Sequence, residues 1–251
     1  MNLNRIKTYC GKPIEVSRAG YLYPVRILEW EEFTKLAGRF LMTSDEFLRK
    51  RLKLEEEIKL FDFITLQAIM TSKTGFENLK EMEQLFSIVF RSEVKANLRG
   101  RVGNKEVYFI VDGKGIIDRN NYEEVRSIIM EQNLLFDPIV AKTAKSQEVI
   151  DRGIERLRRG NPTVDVEAMI VVVSLHKNIN LDELTYYQLR ADYEIITKIE
   201  ANRAIPLYRV NGAEVDMYNL TDELSIHNNP YGADALFRKR NDGEMLNKLQ
   251  G

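Results

Sequence analysis

A predominantly helical α+β fold is predicted by three observations. Apolar residues recur at three- and four-residue steps through much of the chain. Thr-x-x-Glu and Thr-x-x-Gln spacings, which mark helix starts, precede several of these runs. Only short stretches switch to the β-branched, turn-punctuated pattern of strands. The expected architecture is two helical subdomains with a small antiparallel β ribbon between them and a C-terminal hairpin. Four segments follow: 1–138, helical with the ribbon; 139–162, a charged linker helix; 163–224, a helical pair plus hairpin; and 225–251, a loosely ordered tail.

The first helix is expected over Trp30–Met42, where Trp30, Phe33, Leu36, Ala37, Phe40 and Leu41 share a face. Pro24 lacks a backbone donor and biases Tyr23 toward extended shapes, so this helix should not start earlier. Thr43 and Glu46 have capping-box spacing, and the helix they begin would line up Phe47, Leu54, Ile58 and Phe61. Thr74 and Glu77 repeat the spacing ahead of a helix burying Leu79, Met82, Leu85, Phe86 and Val89. The period then changes. KANLRGRV and KEVYFIV read as strands joined at Gly103-Asn104, and Asp112–Gly115 is a second turn leading into GIID. Asn120 is placed to cap a further helix with Tyr122, Val125, Ile128 and Ile129 on its apolar face.

Residues 137–162 change texture. They are charged, with few large apolar side chains after Val140, and read as a solvated helix closed by Gly160-Asn161-Pro162. Val164–Lys177 reads as a buried helix around the apolar run Ala168–Leu175, with a central strand as the alternative given its Val and Ile content. Thr185 and Gln188 form a capping pair. Behind them Tyr186, Leu189, Tyr193, Ile196 and Ile199 keep the helical period. LYRV, Asn211-Gly212 and AEVDMY read as a hairpin.

Composition narrows the function. The 251 residues carry a formal net charge of −1, which argues against a general nucleic-acid binder. One cysteine, Cys10, in an N-terminus expected to be flexible, cannot staple the fold internally, so a reduced, cytoplasmic setting is expected. MNLNRIKTYC lacks the apolar core of a signal peptide, and no apolar run is long enough to span a bilayer. No membrane association is expected.

Catalytic patterns are absent from the sequence. His176 and His227 have no metal-ligand neighbours at useful spacing. No G-x-S-x-G is present, and Ser174 and His176 fall on different sides of a helix. Gly113-Lys114-Gly115 lacks the remainder of any phosphate-loop motif and reads as a turn. Arg152, Arg156, Arg158 and Arg159 interleave with Glu148, Asp151 and Glu155, the pattern of ion pairing on a wet helix. The chain is therefore expected to be non-enzymatic, with no catalytic, cofactor or metal residues. Candidate partner-binding residues are the aromatic and apolar side chains Tyr187, Tyr231, Leu236 and Phe237.

The order of segments resembles a family from tailed bacteriophages of Gram-positive hosts, the tail assembly chaperone-like proteins encoded just before the tape-measure protein. The likeness runs from Gly20 to Ile205. It rests on a YP entry into the first helix, on Ile117, Asn121, Tyr122, Arg126, Ile128 and Ile129, and on Thr185, Tyr187 and Gln188. The resemblance implies a chaperone of the host cytoplasm that binds the tape-measure protein, the tail tube protein, or both; a homo-oligomer is compatible with it. Two other readings stand beside it. One is a phage structural or regulatory protein, an anti-defence protein included, that binds other proteins. The other is a carboxylate-based Mg²⁺ enzyme acting on nucleic acid, which needs acidic side chains converging on an ion.

Overall fold

The computed structural model describes residues 3–41, 59, 61–62, 65, 74–99, 106–137, 139, 141, 143–160, 164–212, 214–230 and 232. It is mainly helical α+β, with two small antiparallel sheets. The segments Met1–Pro138 and Val164–His227 form one compact unit; Ile139–Thr163 and Asn228–Gly251 form another.

The first unit opens with helix α1 (Leu3–Tyr9), where a flexible N-terminus was expected. A short hairpin, β1 (Ile14–Val16) and β2 (Gly20–Leu22), follows. Its three-residue strands are too short to carry a readable alternation. After an extended stretch through Pro24 and a 3₁₀ turn at Ile27–Glu29, helix α2 spans Trp30–Phe40. Phe33, Ala37, Phe40 and Leu41 bury the predicted face. The helix expected after Thr43, with Phe47, Leu54 and Ile58, lies outside the described residues; Phe61 is buried.

Helix α3 (Thr74–Phe90) buries all five residues expected of it, Leu79, Met82, Leu85, Phe86 and Val89. The β ribbon is a three-stranded meander of β3 (Val94–Arg99), β4 (Glu106–Val111) and β5 (Gly115–Ile117). Its Gly103-Asn104 turn lies outside the described residues. Along β4, Val107, Phe109 and Val111 point inward at every second position, as the pleat requires. Asp112 and Gly113 both take positive φ in the β4–β5 turn. Gly115 is needed for a different reason: a Cβ there would come within 2.2 Å of the Ala19 carbonyl oxygen. That close approach lets the Ile116 N–H reach the Arg18 carbonyl at 2.7 Å and join the two sheets.

Helix α4 (Tyr122–Gln132) is capped at Asn121, not Asn120. The Asn121 side chain instead accepts from the Asp118 N–H at 2.8 Å and donates to the Ile116 carbonyl at 2.8 Å. The helix is pinned by buried polar groups. Tyr122 Oη donates to the Phe40 carbonyl at 3.0 Å, and Arg126 Nε to the Leu41 carbonyl at 2.8 Å. Asn133 accepts from the Val25 N–H at 2.9 Å. Phe33, Phe86, Phe109, Tyr122 and Ile129 lie in the main core; each buried side chain of this size contributes ~2–3 kcal/mol.

Helices α6 (Val166–His176) and α7 (Tyr186–Val210) pack around Met169, Val173, Leu189 and Ile196. The capping box at the start of α7 is complete. Thr185 Oγ1 accepts from the Gln188 N–H at 3.2 Å, and Gln188 Oε1 from the Thr185 N–H at 2.9 Å. Residues 25–27 pair with residues 184–186 through Ile27 N–H to the Leu184 carbonyl and Tyr186 N–H to the Val25 carbonyl. Trp30 stacks on Tyr186 with centroids 3.6 Å apart and planes at 9°. These contacts gather the two expected helical subdomains into one unit.

Three further expectations are corrected. The hairpin after Pro206 is absent: α7 continues through Pro206 to Val210, and residues 214–219 form no strand. Asn-Gly is equally a helix stop. Gly212 takes φ 86° and its N–H reaches the Arg209 carbonyl at 3.0 Å. The tail does not loosen at Ser225; Ser225–His227 is a 3₁₀ turn with Ile226 buried. Finally, α6 is helical but buried on one face only. Ala168, Val171 and Leu175, one stripe at helical spacing, are exposed.

The second unit contains helix α5 (Ala144–Gly160). Arg152 pairs with Glu148 and Arg159 with Glu155, both four residues apart and exposed, as the charge pattern predicts.

Candidate interaction surface

Seven exposed large apolar side chains fall at the end of α7 and in the segment after it. Leu207 is 70 % exposed and Val210 86 %, with Tyr208 beside them; Val215, Met217, Tyr218 and Leu220 follow. The helix is held in this exposed form by its stop. Asn211 Nδ2 donates to the Leu207 carbonyl at 2.9 Å, and Gly212 supplies the positive φ. Of the seven, all but Leu220 fall in the LYRV and AEVDMY stretches that read as a hairpin, whose strands would have paired with each other. In α6, Leu175 is 78 % exposed.

Of the predicted partner-binding residues, Tyr187 is corrected. It is 3 % exposed and packs with Ala191 and Ile226, its hydroxyl 3.1 Å from His227 Nε2. The helical turn places it toward the chain's own C-terminal segment, leaving no free ring face. Burial, opposed by Arg5, pushes its hydroxyl up to about 12. Tyr231, Leu236 and Phe237 lie outside the described residues.

The titratable groups bind segments to one another. Asp192 is buried; its carboxylate accepts from Tyr9 Oη at 3.0 Å and pairs with Lys177. Burial and the Asp192 charge push the Tyr9 hydroxyl up to about 12. Arg5 of α1 pairs with Glu223. His176 is exposed at the end of α6. Its Nδ1 lies 3.0 Å from the Val172 carbonyl and its Nε2 3.1 Å from Glu200, contacts that raise its pKa. His227 is shifted down by burial and by Arg5. Cys10 is exposed.

Among the described residues, no group of three or more His, Cys, Asp or Glu side chains could hold a metal ion, and no helix is long and apolar enough to cross a membrane. Tyr9–Asp192–Lys177 and Val25–Asn133 hold α1, α6 and the end of α4 in place, while apolar side chains at the end of α7 face outward. Comparison with protein-family models, with curated proteins and with solved structures finds no match to this chain.

Proposed function

We propose that the chain is a non-enzymatic assembly factor of bacteriophage tails, a chaperone-like protein that binds the tape-measure protein, and the tail tube protein with it, in the host cytoplasm. The observation that carries this reading is the exposed apolar surface of Leu207, Tyr208, Val210, Val215, Met217, Tyr218 and Leu220. Exposed apolar clusters of this kind mark contact sites on soluble proteins. The order of sequence motifs points to the same class. A chaperone for a long helical chain needs greasy contact area and no reacting groups.

Co-expression with the tape-measure protein tests it. The partner's soluble fraction should rise and the two should co-purify. Leu207→Ser with Val210→Ser should cut recovery several-fold without changing the melting temperature of the chain alone. No co-purification and no gain in solubility would overturn the reading. A virion-resident structural role would instead leave the protein in purified particles, where a chaperone is absent.

A further inference from the structure

After its cap at Asn211, the chain turns back along α7, and residues 214–227 form a strap held at four stations. Arg209 Nε donates to the Val215 carbonyl at 2.9 Å. Asn202 grips the Tyr218 backbone twice, accepting from its N–H at 2.7 Å and donating to its carbonyl at 2.8 Å. The Glu194 carboxylate accepts from the N–H groups of Ser225 at 2.8 Å and Ile226 at 3.1 Å, and from Ser225 Oγ at 2.9 Å. Tyr187 meets His227.

The stations fall at residues 209, 202, 194 and 187 of α7 while the strap advances from 215 to 218, 225 and 227. Steps of seven and eight residues are two helical turns, so the four side chains share an arc of roughly 80° and run for about 33 Å. Three of the four act on the strap's backbone. The strap's side chains are exposed through Glu223; its one buried anchor is Ile226, 5 % exposed. Lys198 holds Glu194 in place at 2.7 Å.

The geometry points to the Tyr187–Glu194–Asn202–Arg209 stripe as a peptide-binding track, filled in the free protein by the chain's own strap and opened to a partner segment of the same backbone shape when the strap is displaced. Recognition through backbone groups is tolerant of sequence, as in other modes that read main-chain hydrogen bonds. The occupant is a partner peptide that closes, like the strap, in a 3₁₀ turn carrying an Ile-like anchor after a Ser. The strap competes with it at high effective concentration. The use of the track rests on the protein-binding reading above, but the test does not. Peptide binding can fail while tape-measure capture persists, and the reverse.

The probe is a fluorescent peptide of residues 214–228, EVDMYNLTDELSIHN, titrated into the full chain. Ile226→Asp removes the anchor of the strap and leaves the track intact; Ser225→Pro, which removes one N–H and the hydroxyl, serves if that variant does not fold. Hydrogen exchange at Tyr218, Ser225 and Ile226 or its replacement confirms release. The released variant should bind the peptide at least about tenfold more tightly than the unaltered chain. Adding Asn202→Ala or Glu194→Gln should remove that gain. Shuffling peptide residues 214–223 should change affinity by no more than about threefold. No binding to a chain whose strap amides have opened, or equal binding with and without Asn202→Ala, overturns the proposal.

Discussion

The core around α3 and the end of α7 use the same chemical groups in opposite directions. Around α3, Phe86, Phe109 and Tyr122 are inside, and the polar groups among them are tied to backbone: Tyr122 to Phe40, Arg126 to Leu41, Asn133 to Val25. At the end of α7, polar side chains again grip backbone, yet the apolar side chains stay outside. In the first region burial supplies the stability and the hydrogen bonds fix register. In the second, hydrogen bonds hold the chain and leave its apolar groups available. The first should be costly to alter and the second cheap, unless a partner is present.

The largest effect expected is in the core. Phe86→Ala leaves a cavity beside Phe90, Phe109 and Tyr122 and should lower unfolding free energy by ~3–5 kcal/mol, read by urea denaturation. Gly115→Ala drives a methyl into the Ala19 carbonyl and should destabilise by ~1–3 kcal/mol in the same assay; a neutral result would show that the two sheets separate easily. Thr185→Ala removes one half of the capping box and should cost about 1 kcal/mol, a smaller fall in thermal midpoint.

Acid should open the strap before it touches the core. His227 faces Tyr187, Arg5, Glu131, Glu223 and Glu194, and its pKa is shifted down, so docking disfavours its proton. Strap stability is then full above the ordinary histidine pKa of about 6.5 and falls as pH drops toward the shifted value. Burial opposes, but bonds from Lys198 and Ser225 outweigh it and lower the Glu194 pKa, so its share is present above about 4.3 and lost below. Protection factors at the Ser225 and Ile226 amides, each taken against the intrinsic exchange rate at the same pH, should fall from pH 7 to 4 while those of the α3 amides hold. His227→Gln should flatten the upper part of that profile. The smallest effect is at Val210→Ser, within about 0.5 kcal/mol of the unaltered chain, because the side chain touches little.

Helix faces were readable from sequence because burial imposes a period. Leu79, Met82, Leu85, Phe86 and Val89 announce α3, and Thr185 with Gln188 announces the start of α7. The end of α7 was not readable. Asn211-Gly212 serves a hairpin or a helix stop equally well, and Pro206 suggests a break that the helix does not make. The all-apolar run of α6 implied full burial, but only Met169 and Val173 are enclosed. The strap left no pattern at all, since a side chain that bonds backbone constrains neither residue type nor spacing in the segment it holds. Tyr187 looked like a surface aromatic because its partner, Ile226, lies 39 positions away in a stretch without periodicity.

The chain has a single tryptophan, and it lies face to face with Tyr186 where residues 25–27 meet residues 184–186. Its emission is therefore an intrinsic gauge of that seam. Parting of the α6–α7 pair from α2 would free the indole and change its spectrum, with no dye or label attached.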